Sequence, residues 1–491
     1  MEELESSVSA AVQASGADVD VEYTGAVIIN SETPEPGAAE IIGLIAAIII
    51  LLFMLGGAVA AGLPIVMALI SVFLGLSLLF VAAGFTNFNT ITPTLAVMLG
   101  LGVGIDYSLF ILTRFRQAIH DGMGAEDAAA AAASTAGRAV VFAGVTVAIS
   151  ISALVVIGLD FITKLGFGAA ITVVTSVIAA ITLLPAILSL LGPRIDALRI
   201  PWLDRDDSLA SRQRSPIARW GRFVTRHAAV VATATIVLLG VLALPVLWVQ
   251  LGASDAGTNP PDTTTRKAYD LLAEGFGAGF NGPLLVTVDQ GGDTGAAERL
   301  RTQLEAVEGV AAVPPPISNE AGDTAIVTVF PTTSPQSAAT RDLVEELRSD
   351  VIPSALQGTQ TVAYVGGPTA AFDDIAAQIQ DRLPYFLLAV IGITFIILSM
   401  AFRSVVVAIK ASITTLMSAF AAFGVLIAVF QFGWGNEFVG LDTTGPIETF
   451  LPPIVFAILF GLSMDYEVFL VSRMREEYLH GAPAKQAVTD G

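Results

Sequence analysis

Nine long apolar stretches run along the chain, at about 41–56, 63–83, 91–113, 139–159, 166–191, 229–250, 384–402, 404–430 and 449–472. Most match the roughly 20 residues that a helix needs to cross a hydrocarbon core about 30 Å thick. They predict a polytopic α-helical membrane protein. The first stretch follows forty mixed polar residues and has neither a basic leader nor a small-residue cleavage site, so it does not read as a secretory signal.

One long interval between spans, 251–382, has a different pattern. Apolar alternation, the Pro314-Pro315-Pro316 break and the Gly366-Gly367-Pro368 turn predict strand Leu284–Asp289, helix Ala296–Val307, strand Val310–Val313, strand Ala325–Phe330, helix Ala338–Val351 and strand Thr361–Val365. That order, βαββαβ, is a split βαβ unit. Residues 1–30 look like a fragment of a similar unit, with an amphipathic helix over Glu2–Ala14 and a strand over Val19–Tyr23. An isolated last helix and edge strand cannot bury their apolar faces, so the chain is expected to start inside a domain.

Charge gives the spans a direction. Only 14% of residues are charged, against about 25% in soluble domains, and the formal net charge is −20. The acidic balance excludes nucleic acid as a partner, and the absence of cysteine excludes disulfides and thiolate metal sites. Sixteen of the 24 basic residues fall in one alternating set of loops: Arg114, Arg116 and Arg138; eight arginines from Arg194 to Arg226; Arg403 and Lys410; and Arg473, Arg475 and Lys485. The short loops of the other set, near 84–90, 160–165 and 431–448, hold Lys164 alone. The positive-inside rule makes the first set cytoplasmic and puts 251–382, with 18 acidic and 7 basic residues, outside. The arginine cluster at 194–226 is read as this orientation signal rather than as a lipid-headgroup site.

The strongest signal is a duplication. Residues 102–116 read GVGIDYSLFILTRFR and residues 461–475 read GLSMDYEVFLVSRMR, a spacing of 359 residues. Six identities are in register: Gly102/Gly461, Asp106/Asp465, Tyr107/Tyr466, Phe110/Phe469, Arg114/Arg473 and Arg116/Arg475. Parallel halves of this kind are a recurring transporter architecture. Each Asp lies eight residues before an arginine at the inner helix end, about 12 Å into the membrane at 1.5 Å per residue. A charge at that depth costs about 3 kcal/mol or more, so the carboxyl must face the protein interior, pair, or take up a proton.

Loading a proton from one side and releasing it to the other is what a proton-coupled transporter requires. Tyr107 and Tyr466 each offer a hydroxyl that can hold the opposite helix's carboxylate or relay its proton. The small residues Gly100, Gly102, Gly104, Gly461 and Ser463 are expected to let the two helices approach closely. The plainer alternative is a pair of buried polar anchors holding helices together. Glu467 is less persuasive, since its counterpart is Ser108, and Arg114 and Arg473 read as membrane-end anchors.

These residues resemble the MMPL transporters of the RND (resistance–nodulation–division) superfamily. The resemblance rests on the two Asp-Tyr motifs, on Phe402-Arg403-Ser404 after a span and on FGAGFNGPL at 276–284, and it covers essentially the whole chain. It implies a duplicated twelve-span helix bundle, of which nine spans are present, with extracytoplasmic α+β porter domains. The implied organisation is 1–38, end of the first porter; 39–192, helices two to six; 193–228, cytoplasmic linker; 229–250, helix seven; 251–382, second porter; 383–475, helices eight to ten; 476–491, cytoplasmic. The first helix, most of the first porter and the last two helices are thus expected to be missing. The first half also has Leu55-Gly56-Gly57 where Arg403 follows its span in the second.

The function implied is export of lipids or hydrophobic drugs across a bacterial plasma membrane, driven by the proton motive force. Asp106, Tyr107, Asp465 and Tyr466 would form the relay between the fourth and tenth helices, with protons as coupling ion and no metal, other cofactor or enzymatic activity. Membrane lipids are the implied surroundings, and homo-oligomerisation is left open. Two other classes compete. An intramembrane aspartyl protease also uses two membrane Asp sharing a proton, but its signatures pair a YD with a GxGD, whereas both copies here place Tyr after Asp. A sterol-sensing-like or assembly scaffold would keep its role with both Asp replaced by Asn.

Overall fold

The computed structural model describes residues 2–16, 19–25, 27–29, 38–198, 216–436 and 443–479, with isolated positions beyond. The chain divides into two units. One comprises Glu35–Val246, Asp381–Val425 and Phe450–Gly491; the other comprises Met1–Pro34, Leu247–Gln380 and Leu426–Thr449.

All nine apolar stretches form helices. They are α2 (Ala38–Leu55), α3 (Ala58–Ala83), α4 (Ile91–His120), α5 (Ala125–Ser152), α6 (Asp160–Leu191), α8 (Ala228–Ala243), α13 (Pro368–Phe402), α14 (Val405–Phe430) and α15 (Leu451–Leu479). The short helices α1 (Glu2–Ser15) and α7 (Pro216–Arg226) precede α2 and α8. Seven of the nine, three of them extended by short turns, are long and apolar enough to cross a membrane, while two carry shorter apolar runs, Ile41–Leu55 and Leu451–Ser463. Several helices outrun their apolar stretches, because backbone hydrogen bonding continues into polar sequence. Thus α4 extends to His120, and α13 begins at Pro368, sixteen residues before its apolar part.

In the helical unit α3, α4, α5 and α6 pack closely on one another. Close approach depends on missing side chains: a Cβ on Gly104 of α4 would lie 2.9 Å from the Ala68 Cα of α3. Helix α15 lies against α5, where a Cβ on Gly461 would be 3.2 Å from the Val147 Cα. On its other side, Phe456 of α15 meets Phe386 of α13 and Phe420 of α14 at centroid distances of 6.2 and 6.4 Å. At one end of α4, Arg116 Nε donates to Asp196 Oδ1 at 2.8 Å, and His120 Nε2 lies 3.3 Å from Asp196 Oδ2. Asp196 closes the short turn after α6, so this cluster ties α4 and α6 together.

The second unit contains the βαββαβ arrangement read from the sequence: β2 (Leu284–Asp289), α10 (Ala296–Leu304), β3 (Val310–Ala312), β5 (Thr324–Pro331), α11 (Ala338–Glu346) and β6 (Val362–Gly366). The strand order is β3-β5-β2-β6, with every neighbour antiparallel. Alternate residues Leu284, Val286 and Val288 of β2 and Ala325, Val327 and Val329 of β5 enter one core with Leu300, Leu304, Leu343, Val344 and Leu347 of the helices. After α11 the helix widens over Leu347–Val351 before α12 (Ile352–Ala355), where Pro353 has no N–H to continue the regular ladder.

Three elements of this unit go beyond the sequence reading. Helix α9 (Thr264–Phe276) precedes the sheet, the two-residue strand β4 (Ile317–Ser318) pairs with β5, and β1 (Leu251–Gly252) pairs in parallel with β7 (Ile447–Glu448). The motif at 276–284 turns at Gly277, whose φ of +98° disfavours a side chain, and stacks Phe276 on Phe280 and Phe280 on Phe330.

One expectation is corrected. Val19–Tyr23 forms no strand, because a strand needs a neighbour to complete its ladder and none of the described residues supplies one. The segment instead lies along the start of α9, with Tyr23 N donating to Thr264 Oγ1 at 2.7 Å and Glu22 3.6 Å from Lys267.

Asp255 makes the α+β unit sensitive to pH. Burial pushes its carboxyl above the ordinary value of 3.8, against hydrogen bonds from Gln336, the Gly257 N–H and Tyr269 that pull it down. The folded state therefore holds this proton more tightly than the unfolded chain. The stability so contributed is complete below about pH 4 and is lost as pH rises through the raised value. Asp255→Asn is expected to flatten that decline, as read by hydrogen exchange of β2 and β5 across pH; an unchanged slope would refute the assignment.

Candidate functional site

Asp106 stands sixteenth in the thirty residues of α4, and Asp465 stands fifteenth in the twenty-nine of α15. Each acid is therefore about 20 Å of helix from either end, at 1.5 Å per residue. The Tyr466 hydroxyl donates to Asp106 Oδ1 at 3.1 Å, joining the two halves of the duplication at mid-helix. Phe110, one turn beyond Asp106, lies beside the same tyrosine, with ring centroids 6.1 Å apart and planes tilted by 56°. The repeat of Phe110 at Phe469 was a signal for this contact that the sequence reading did not use.

Tyr107 faces another way. It is fully buried, with a ring carbon 3.4 Å from where a Cβ on Gly144 of α5 would stand. The backbone of α15 carries Asp465 and Glu467, but their side chains lie outside the described residues, and so does a reciprocal pairing of Asp465 with Tyr107. Arg114 donates to Gln117 Oε1 at 3.3 Å, in keeping with an end-of-helix role; the side chain of Arg473 is outside the described residues.

The small residues serve neighbours other than those expected. Gly104 receives α3 and Gly461 receives α5, so neither opens a direct seam between α4 and α15. Gly102 is exposed, with no atom within 4 Å of a Cβ placed on it, and Ser463 lies 3.4 Å from the Thr415 hydroxyl of α14. Helix spacing told which face each glycine occupies, but not which helix lies against that face. The two Asp-bearing helices meet through the long side chain of Tyr466, which can bridge a gap that close backbone packing would have removed.

Tyr466→Phe keeps the ring against Phe110 and removes only the donor. A hydrogen bond to a charged group contributes about 1.5–3 kcal/mol, so transport by the full-length protein is expected to fall by about tenfold or more. Flux equal to wild type would remove this hydroxyl from the mechanism. Among the described residues no group of three or more acidic or histidine side chains is arranged to hold a metal ion.

Two repeated halves, each with an acid at mid-helix, define a duplicated polytopic membrane protein. Residues 1–244 and 258–491 match the model of the MMPL family, and the chain belongs to that family of transporters, within the RND superfamily. It is 38% identical to membrane protein YdfJ of Bacillus subtilis over 93% of this chain and 62% of that protein. It is 32% identical to the mycolic acid-containing lipids exporter MmpL11 of Mycolicibacterium smegmatis, over 95% of this chain and 49% of that one. The chain thus spans about half to three-fifths of these relatives. Among solved structures, SecDF, a translocon-associated membrane protein of Thermus, aligns with a TM-score of 0.51 at 16% identity over 92% of this chain and 53% of that chain, a likeness of fold.

Proposed function

We propose that the protein containing this chain exports lipids or other hydrophobic compounds across a bacterial plasma membrane, driven by the proton motive force. The α+β unit is its extracytoplasmic porter domain. The observation that carries the reading is the hydrogen bond from Tyr466 to Asp106 halfway along a membrane-length helix. A carboxyl there is stable either as an anion held by donors or as a neutral acid. As an anion, Asp106 accepts a charge-assisted hydrogen bond from Tyr466; on protonation the bond becomes a weaker, neutral one. Alternating between these states changes the fit of the two helices, which is how proton flow is converted into movement. Asp465 and Tyr107 form the second half of the relay, and protons are the coupling ion, with no other cofactor.

The substrate class is supported by the Mycolicibacterium relative named as an exporter of mycolic acid-containing lipids. The test is substrate flux in proteoliposomes holding the full-length protein, with and without an imposed proton gradient. Flux that follows the gradient and stops with an uncoupler is expected. Flux indifferent to both sinks the coupling, and a cellular function retained with Asp106 and Asp465 both changed to Asn favours a scaffold instead.

A further inference from the structure

The connections that lead into the two Asp-bearing helices differ in length. Helix α4 is reached through the short loop 84–90, whose described hydrogen bonds are local, such as Ile91 N to Asn89 Oδ1 at 2.9 Å. Helix α15 is reached through a longer connection, 431–450, that is strapped to another part of the chain. There β7 pairs in parallel with β1, with Ile447 N donating to Gln250 O at 2.8 Å and Thr449 N to Gly252 O at 3.1 Å.

Side chains reinforce the ribbon on both sides. Glu448 Oε1 accepts from Ser254 N at 2.7 Å, and the Thr449 hydroxyl donates to Gly252 O at 3.0 Å. Gln431 spans two peptides, accepting from Gln250 N at 2.9 Å and donating to Trp248 O at 2.8 Å. The same β1 segment is bonded from its other side to the helix that covers the sheet. Arg341 at the start of α11 donates to Leu251 O at 3.1 Å, and Gln336 just before α11 donates to Ala253 O. Within the next two turns, Leu343, Val344 and Leu347 lie in the core of the sheet.

A hydrogen-bonded series thus runs from Thr449, two residues before α15 begins, to the core helix of the α+β unit. We propose that the β1–β7 ribbon carries movement of the Asp465-bearing helix into that unit, and that Gln431, Glu448 and Arg341 are positioning residues for transport. The inference rests on the proton-relay reading and adds the route by which the relay acts on the porter. Two residues of chain provide almost no slack, since each spans at most about 3.6 Å. A shift of 1–2 Å at the start of a helix, typical of such transitions, must then either break the ribbon or move it, and several hydrogen bonds acting together favour movement.

The test uses the full-length protein in proteoliposomes. The double variant Gln431→Ala with Glu448→Ala removes three of these bonds and leaves the backbone ladder able to form. Thr449→Pro, made separately, deletes a ladder donor instead. Spin labels are placed on exposed positions in a background cleared of cysteine outside this cysteine-free stretch. One pair, Met98→Cys with Leu470→Cys, reports on α4 and α15; the other, Tyr364→Cys with Met98→Cys, reports on whether the α+β unit moves relative to α4.

Both ribbon variants are expected to lower gradient-driven flux by about tenfold or more while preserving the pH-dependent distance change between α4 and α15. The change between β6 and α4 is expected to disappear. Wild-type flux, or a surviving response of the second pair, overturns the inference. Loss of the first pair's response as well also overturns it, since the ribbon would then merely hold α15 in place. Wild-type protein insensitive to the gradient would defeat the relay reading first and this inference with it, whereas a coupled wild type with fully coupled variants defeats the ribbon alone.

Discussion

Asp106→Asn in the full-length protein is expected to abolish gradient-driven transport, by about a hundredfold or more, while expression and melting temperature stay at wild-type values. Asparagine has the size of aspartate and keeps an oxygen able to accept the 3.1 Å hydrogen bond from Tyr466, so the contact between α4 and α15 survives. What disappears is the group that takes up and releases a proton. The substitution therefore separates the chemical role of the carboxyl from its structural one, which Asp106→Ala would not do. The check is flux into proteoliposomes under an imposed pH gradient. Flux that persists and still collapses with an uncoupler would show that coupling runs without this residue, and Asp106 would revert to a buried polar anchor.

A second large effect separates two glycines only two residues apart. In Gly104→Val, the new Cβ would stand 2.9 Å from the Ala68 Cα and 3.0 Å from its Cβ, so the obstacle is partly backbone and cannot rotate away. Helix α3 or α4 must shift, at a cost of about 1–3 kcal/mol or more. Because α4 carries Asp106, the shift also moves the carboxyl relative to Tyr466. The variant is expected to melt lower and to lose transport. Gly102→Val makes the same change in helix propensity, yet no atom lies within 4 Å of its Cβ, so its melting temperature should stay near that of wild type. Equal losses at both positions would show that propensity, not packing, sets the cost.

Much of this architecture was legible because it is periodic. The nine apolar stretches each became a helix, and alternation in 284–289 and 325–330 marked the two central strands of the sheet. The duplicated Asp-Tyr motif singled out both members of the Asp106–Tyr466 contact before any geometry was known. Other features carry no period. A two-residue parallel pairing such as Leu251 with Ile447 joins positions almost two hundred residues apart and leaves no local trace. Helix α9 did have a signal that went unread: Thr263 after Pro260-Pro261, which caps the helix by accepting from Arg266 N at 3.4 Å. The misreading of Val19–Tyr23 was of a different kind, since its composition suits a strand but pairing is decided by neighbours. The glycines on α4 and α15 failed similarly, because spacing fixes a face and only the tertiary arrangement decides what covers it.

Arg116 holds two positions in time. On the orientation proposed above it is one of the inner-loop cations by which the nascent chain is oriented in the membrane. In the finished fold its guanidinium is bonded to Asp196, which lies eighty residues later and beyond the end of α6. Asp196 is made eighty residues after Arg116, so on that orientation the arginine is still without this partner when α4 is first synthesised. Once α6 has followed, the same charge is neutralised and becomes a tether between two helices. Biosynthetic order lets one side chain direct assembly first and hold the product afterwards.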